Sequence, residues 1–185
     1  MANLAFALML ITVSGTSGAL STDRDQPINI EADWAESDYI KGITVYKGKV
    51  IIVQGSLRIR GDVVTMYFNE ANELQRMIAV GKLARFRQKS DGEEVYQHAK
   101  ALRIQYNLTT DTMVLTGRAQ LSKGEDFIRA KRIVYDTLNG RIKGESKPRG
   151  VPTSDRKTPS GGDRVIITIK PKKLCSDGSR RSTCP

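Results

Sequence analysis

The chain has 185 residues, and its 30 lysine and arginine residues against 20 acidic residues give a formal net charge of +10. The surplus is uneven, because residues 21 to 145 carry 20 basic and 17 acidic side chains, whereas residues 146 to 185 carry 10 and 3. A nearly neutral domain argues against a dedicated nucleic-acid groove, and a basic tail suits an anionic partner. The length allows one domain with a hydrophobic core.

The first twenty residues contain no charge and include an apolar run from Leu4 to Val13. The small residues Ser17, Gly18 and Ala19 follow, and this arrangement predicts a secretory signal peptide over residues 1–19. No later stretch approaches the roughly 18 apolar residues that a membrane-spanning helix requires. We therefore expect an exported, soluble mature protein.

The domain, residues 21–145, is predicted to be all-β, because short runs of alternating apolar and polar residues recur along it. Leu102, Ile104 and Tyr106 are predicted to share one strand face, and Leu57 and Ile59 to share another. Turn signals separate the runs, at Lys47-Gly48, Gln54-Gly55, Asn69-Glu70, Asp91-Gly92, 107–111, Lys123-Gly124 and Asn139-Gly140.

An internal repeat supports this architecture. The segment YKGKVIIVQGSLRIRGDVV aligns without a gap on LTGRAQLSKGEDFIRAKRI at an offset of 69 residues, so that Gly48 matches Gly117 and Gly55 matches Gly124. A weaker middle copy places Gly81 at the position of Gly48. Each unit is interpreted as a strand, a glycine step, a strand, a turn and a further strand, and stacked units would enclose a continuous apolar interior.

The C-terminal part is predicted to contain a flexible linker over residues 146–164, rich in Pro, Gly, Ser and charge. Residues 165–174 contain one more strand, which returns to the sheet or pairs with another molecule. A basic, disordered tail over residues 175–185 carries Cys175 and Cys184. These cysteines could close a small loop or form an intermolecular disulfide.

Catalytic and metal-binding patterns are weak. The single imidazole, His98, has no nucleophile beside it in a recognisable pattern, and the acid pairs Glu93-Glu94 and Glu125-Asp126 fall in turns. Phe86 between two arginines could stack on a single-stranded nucleic acid, but in a half-buried strand it is expected to be core. We predict a protein that is not an enzyme and needs no cofactor or metal.

Four segments carry a resemblance to a known family: DRDQPINIEAD, GITVYKGKVIIVQGSLRIRGDVV, RAKRIVYD and the late IKPKK. They resemble the LptA (OstA-like) family of periplasmic lipopolysaccharide-transport proteins. The resemblance implies a twisted, open-ended antiparallel β-jelly roll that shields the acyl chains of lipid A in transit from the inner to the outer membrane. It also implies a periplasmic location. The cysteine-containing tail departs from the family pattern.

Candidate lipid-binding residues come from two sources. Ile28 and Ile30 match isoleucines that face lipid near the entrance in the family, and are carried over on that resemblance. The others are assigned to the interior by strand alternation alone: Val50, Ile52, Leu57, Ile59, Leu102, Ile104, Tyr106, Leu115, Leu121 and Ile133.

An open sheet leaves unpaired backbone groups on its edge strands, which imply partners. We expect end-to-end assembly with further copies and with the inner- and outer-membrane components of the transport machinery. The candidate edges are 28–32 and either Ile142 or 165–169. Three alternatives stay open: a structural β-repeat module without a ligand, a polyanion-binding protein, and an unrecognised hydrolase.

Overall fold

The computed structural model describes residues 23, 25–89, 95–146, 164–169, 173–174 and 180–181. The signal peptide, the linker from 147 to 163, the acid pair Glu93-Glu94 and both cysteines lie outside these residues. No helix among the described residues is long and apolar enough to cross a membrane.

The described strands are all antiparallel, which confirms the predicted all-β class. They are β1 (Asn29–Glu31), β2 (Trp34–Asp38), β3 (Ile43–Gln54), β4 (Leu57–Phe68), β5 (Leu74–Lys89), β6 (Tyr96–Asn107), β7 (Thr112–Lys123), β8 (Asp126–Asp136), β9 (Arg141–Glu145), β10 (Ile166–Thr168), β11 (Lys173–Leu174) and β12 (Arg180–Arg181). The first ten form one open sheet in which β3 to β8 pair in chain order, and β11 pairs with β12 separately.

Every pairing between the central strands shifts register at a shared level, and these irregularities form a line across the sheet; the β4–β5 pair has a second shift after Tyr67. We call this the fold line; it consists of residues 48–49, 61–62, 81–83, 101–102, 117–118 and 131. Because a bulge bends its strand, bulges aligned across six strands bend the whole sheet. The fold line divides the sheet into two walls, which we name by their edge strands.

Wall A contains β2, the first half of β3 and β9, and wall B contains β1, the second half of β3 and β10. Each remaining central strand contributes one half to each wall. Both edges of the sheet are therefore split at the fold line, with β1 and β2 beside β3 at one edge and β9 and β10 beside β8 at the other. Buried side chains from the two walls form a single hydrophobic cluster.

The internal repeat is visible in the backbone. Gly48 and Gly117 have φ values of +81° and +76°, and the residues after them, Lys49 and Arg118, have +46° and +50°. The matched glycines thus place the same left-handed pair of residues at the fold line, where glycine has no Cβ to clash. The weaker middle copy differs, because Gly81 is not among the described residues with positive φ.

One turn prediction was wrong. The Lys47-Gly48 step does not separate two strands; it is a bulge inside β3, which continues from Ile43 to Gln54. The strands are therefore longer than the short units that the glycine spacing indicated. The predicted turns at Gln54-Gly55, Asn69-Glu70, 107–111, Lys123-Gly124 and Asn139-Gly140 do connect or border consecutive strands, whereas Asp91-Gly92 lies outside the described residues.

Candidate functional site

The two walls face each other across an apolar groove. The clearest evidence is the contact between Phe86 of wall B and Tyr106 of wall A, whose ring centroids lie 6.2 Å apart in an edge-to-face arrangement. At the far edge, a Cβ built on Gly144 of β9 would come within 3.0 Å of Ile128 Cδ1 and of Val165 Cγ1. Both contacts join residues on opposite sides of the fold line, so the sheet closes on itself like a V.

Most of the sequence-predicted interior residues lie in this groove. Eight are buried and belong to the shared hydrophobic cluster: Val50, Ile52, Ile59, Ile104, Tyr106, Leu115, Leu121 and Ile133. Ile30 and Leu57 are half-buried and pack against the same cluster. Since Val50, Leu115 and Ile133 have no exposed surface, these three side chains form the packed floor of the groove rather than an open lining.

The assignment of Leu102 to the interior was wrong. The fold line shifts register between Lys100 and Arg103, so Ala101 takes the buried position and Leu102 keeps 37% of its surface exposed. Its side chain lies over Gly117 on the neighbouring strand, where an added Cβ would come 2.9 Å from Leu102 Cδ1. Simple alternation across residues 101–106 fails because a bulge inserts one residue into the period of two.

Open space between the walls lies at the β8 edge. A cleft of about 380 Å³ opens there between Leu121, Ile128 and Ile167 of wall B and Tyr135 and Ile142 of wall A. The strand registers place Ile142 opposite Tyr135 and Ile167 opposite Ile128, so that each edge strand extends the inner face of its wall. Ile142 and Ile167 remain 45% and 61% exposed, which leaves apolar surface at the mouth of the groove.

The two isoleucines assigned from the family resemblance, Ile28 and Ile30, lie at the opposite edge of the sheet. Ile30 of β1 is the register partner of Ile52, and its side chain packs on the cluster. Ile28 precedes β1 and is 48% exposed at the rim. Partial burial raises the pKa of the Tyr46 hydroxyl on the neighbouring half of β3.

Sequence reasoning missed the contributions of Ile142, Ile167 and Tyr135 to the mouth of the groove. The sequence predicts Ile142 and 165–169 only as possible edge strands. The alternation of isoleucines in RVIITI was available as a signal, but it does not say which strand the segment joins. Phe86 is 3% exposed, which confirms the expectation that it is core.

Comparisons with known proteins agree with this geometry. Residues 29–141 match the family described as LptA/(LptD N-terminal domain) LPS transport protein. The chain is 32% identical over 170 residues to the lipopolysaccharide export system protein LptH of Pseudomonas aeruginosa, covering 92% of this chain and 94% of LptH. It is 34% identical over 183 residues to LptA of Escherichia coli K12, covering 98% of this chain and 91% of LptA.

A solved structure shares the fold. The crystal structure of Pseudomonas aeruginosa LptH, the periplasmic LptA homologue of the lipopolysaccharide transport device, superposes with a TM-score of 0.68 at 30% identity. The match covers 81% of this chain and 99% of the LptH chain. The family match over residues 29–141 and the shared open antiparallel sheet agree, and the chain belongs to the LptA/(LptD N-terminal domain) LPS transport protein family.

Proposed function

We propose that this protein is a periplasmic carrier that shields the acyl chains of lipopolysaccharide on the way to the outer membrane. The observation that supports the proposal most directly is the apolar groove between the walls, with its open mouth between Tyr135, Ile142 and Ile167. Relatives of the chain are lipopolysaccharide export proteins, and the role needs no catalytic group.

The energetics of such a groove suit transit. Removing an acyl chain of about ten methylenes from water contributes roughly 8 kcal/mol at ~0.8 kcal/mol per methylene. Immobilising a ligand costs an estimated ~4 to 15 kcal/mol. The two terms are of similar size, so an open, mainly apolar cleft holds a lipid chain and still releases it.

Lipid contact is proposed for residues at the two rims rather than for the packed floor. At the β1 edge these are Ile28 and Ile30, and at the β8 edge they are Ile142 and Ile167, with the buried Leu121 lining the cleft beneath them. Val50, Leu115 and Ile133 support the rim residues from beneath, because their side chains have no exposed surface.

A photocrosslinking experiment in the exported protein tests this assignment. A photoreactive residue at Ile30 or Ile142 is expected to capture lipopolysaccharide, whereas the same residue at Val53, on the outer face of wall B, is expected to capture none. Crosslinking at Val53 as strong as at Ile30 would show that the lipid does not occupy the groove. Lipid-free protein with an intact fold would favour a structural module instead.

The split edges also support end-to-end assembly. β1 and β2 at one edge, and β9 and β10 at the other, end the sheet within the described residues, and an unpaired edge is a template for strand addition. Pairing of one copy's β9 edge with another copy's β2 edge would join their grooves. Similar addition would link the chain to inner- and outer-membrane components. A photoreactive residue at Ser37 should yield dimers by mass, and the same residue at Arg103, in mid-sheet, should not.

A further inference from the structure

The outer face of wall B carries a block of basic side chains in two rows across β4, β5 and β6. Arg58 lies opposite Arg87 in the strand register, and Arg60 lies opposite Arg85. The rows continue on β6, where His98 faces Arg87 and Lys100 faces Arg85. We call these six residues the basic patch: Arg58, Arg60, Arg85, Arg87, His98 and Lys100.

This arrangement is electrostatically unfavourable by itself. Like charges directly opposite each other on neighbouring strands destabilise a sheet. The ion pairs that join Lys41 to Asp38 and both Arg132 and Lys143 to Glu145 lie outside the patch, elsewhere on the described part of the chain. The net charge of the domain is close to neutral, although the outer face of wall B is strongly positive.

The patch also surrounds a small cavity. A space of about 170 Å³ is lined by Arg58, Arg60, Arg85, Arg87 and His98, together with Phe86. The Nε atoms of Arg58 and Arg87 are shielded from solvent and have no hydrogen-bond partner. The guanidinium of Arg87 stacks 4.4 Å from the centroid of the Tyr96 ring, which orients the group without neutralising it.

We propose that the basic patch is a binding site for a phosphate group. Guanidinium groups present planar pairs of N–H donors that match the oxygens of phosphate. The cavity of about 170 Å³ has room for a small oxyanion at the outer face of the sheet. A doubly charged oxyanion offsets the repulsion between facing arginines better than a single carboxylate does.

The site goes beyond the proposed lipid groove and is independent of it. Side chains on a strand alternate between faces, so the basic patch points away from the groove that Ile52, Ile59 and Phe86 line from the other side. The phosphate could be free in solution or could belong to an anionic lipid headgroup. The chemistry of recognition is the same for both.

Calorimetric titration of the full exported chain with inorganic phosphate tests the site. The variant Arg58→Gln/Arg87→Gln is expected to bind phosphate at least about tenfold more weakly, since charged hydrogen bonds are lost. The control Arg103→Gln/Arg141→Gln removes the same charge from wall A, and its affinity should stay within about twofold of the parent. Equal weakening in both variants, or no phosphate binding by the parent, would overturn the proposal.

Thermal unfolding supplies a readout that does not depend on a single titration. Without phosphate, the patch variant should unfold at a temperature equal to or above that of the parent, because like-charge repulsion is relieved. With phosphate, the parent should be stabilised by mass action and the patch variant should not. Destabilisation of the patch variant without phosphate, with no phosphate effect on the parent, would mean that the arginines only support the fold.

The source of the phosphate is distinguished with vesicles. The protein is sedimented with vesicles of phosphatidylglycerol and phosphatidylcholine, and with vesicles of phosphatidylcholine alone. If a headgroup is the ligand, the parent protein should be retained on the anionic vesicles and the patch variant should not. Phosphate binding without vesicle retention assigns the site to the free ion. Retention on anionic vesicles that is unchanged in the patch variant would count against the site. If lipopolysaccharide co-purifies normally with the patch variant, lipid binding in the groove does not depend on the basic patch.

Discussion

Phe86 and Tyr106 touch edge to face, with ring centroids 6.2 Å apart and an interplanar angle of 73°, although they belong to distant levels of the sheet. Tyr106 is the register partner of Met77, nine residues before Phe86 on β5. In a flat sheet nine residues span roughly 30 Å. The contact exists only because the sheet bends at the fold line, and it lies at the centre of the shared core.

This contact predicts energetic coupling between the walls. Phe86→Ala should lower the free energy of unfolding by about 3 to 5 kcal/mol, because a large buried side chain leaves a cavity. A double-mutant cycle of Phe86→Leu with Tyr106→Leu, followed by urea denaturation, should give a coupling of ~0.5 to 1.5 kcal/mol. The same cycle with Tyr67→Leu, on the outer face, should be additive. Additivity in both cycles would show that the walls do not meet there.

The left-handed backbone at Gly48 predicts a second effect. A Cβ at this position would overlap the side chain of Asp33, whose backbone N–H donates to the carbonyls of Lys47 and Gly48 at 3.0 and 3.2 Å. Gly48→Ala should therefore cost more than the ~1 to 2 kcal/mol of backbone strain alone. Gly140→Ala is the matched control, since its φ is +67° and nothing lies within 4 Å. Chemical denaturation should rank the two variants, and equal costs would contradict the predicted overlap.

Asp23 connects the segment before β1 to the far end of wall B. Its carboxylate accepts hydrogen bonds from the backbone N–H and the hydroxyl of Ser56, both at 2.6 Å, and from Gln88 Nε2 at 3.2 Å. The side chain is 5% exposed. Asp23→Ala should lower stability by roughly 1.5 to 3 kcal/mol, because buried donors lose a charged acceptor.

The urea midpoint of Asp23→Ala measures this loss. Asp25→Ala removes an exposed carboxylate two residues away, and it should change stability by no more than about 0.5 kcal/mol. A similar loss in both variants would assign the effect to net charge rather than to the hydrogen bonds at Ser56.

The ion pairs of Glu145 predict that the attachment of β9 to β8 weakens in acid. Its carboxylate pairs with Lys143 at 3.3 Å and with Arg132 on β8 at 3.1 Å, and these partners, Lys143 foremost, lower the pKa of Glu145 from its ordinary value of 4.5. A lowered folded-state pKa contributes stability above 4.5 that is lost as the pH falls through the folded value. Glu145→Gln should therefore be less stable than the parent at neutral pH and equal to it in acid.

Denaturant midpoints measured across the acid range check this sign. The control Glu70→Gln removes an exposed carboxylate in the β4–β5 turn. Its stability should differ only slightly from that of the parent, without the pH dependence expected for Glu145→Gln. A difference for Glu145→Gln that persists in strong acid would exclude the ion pairs as its cause.

A charge placed at the rim of the groove should weaken the retention of lipopolysaccharide. Ile30→Asp should reduce co-purified lipopolysaccharide roughly tenfold, since a half-buried isoleucine contributes about half of the ~1.5 to 3 kcal/mol of full burial, while the β-rich circular dichroism spectrum stays largely intact. Val53→Asp places the same charge on the outer face, next to Asn29, and should leave lipid retention unchanged. Unchanged retention in Ile30→Asp would count against the assigned rim.

The amino-acid sequence by itself determined the fold class and most of the inner face. The period of two placed Ile52, Ile59 and Ile104 correctly, because a strand side chain has only two directions to point. The glycine repeat correctly identified matched backbone positions at Gly48 and Gly117, since only glycine adopts their φ without a steric cost. These are local properties that the chain carries at every position.

Tertiary structure decided the rest. Whether Gly48 ends a strand or bends it depends on neighbouring strands that bulge at the same level, and that alignment moved Leu102 out of the interior. The meeting of Phe86 with Tyr106, the mouth between Ile142 and Ile167, and the facing rows of the basic patch all join residues from different strands. Alternation assigns a face to each side chain but carries no information about register or bending, which are set by contacts between distant segments.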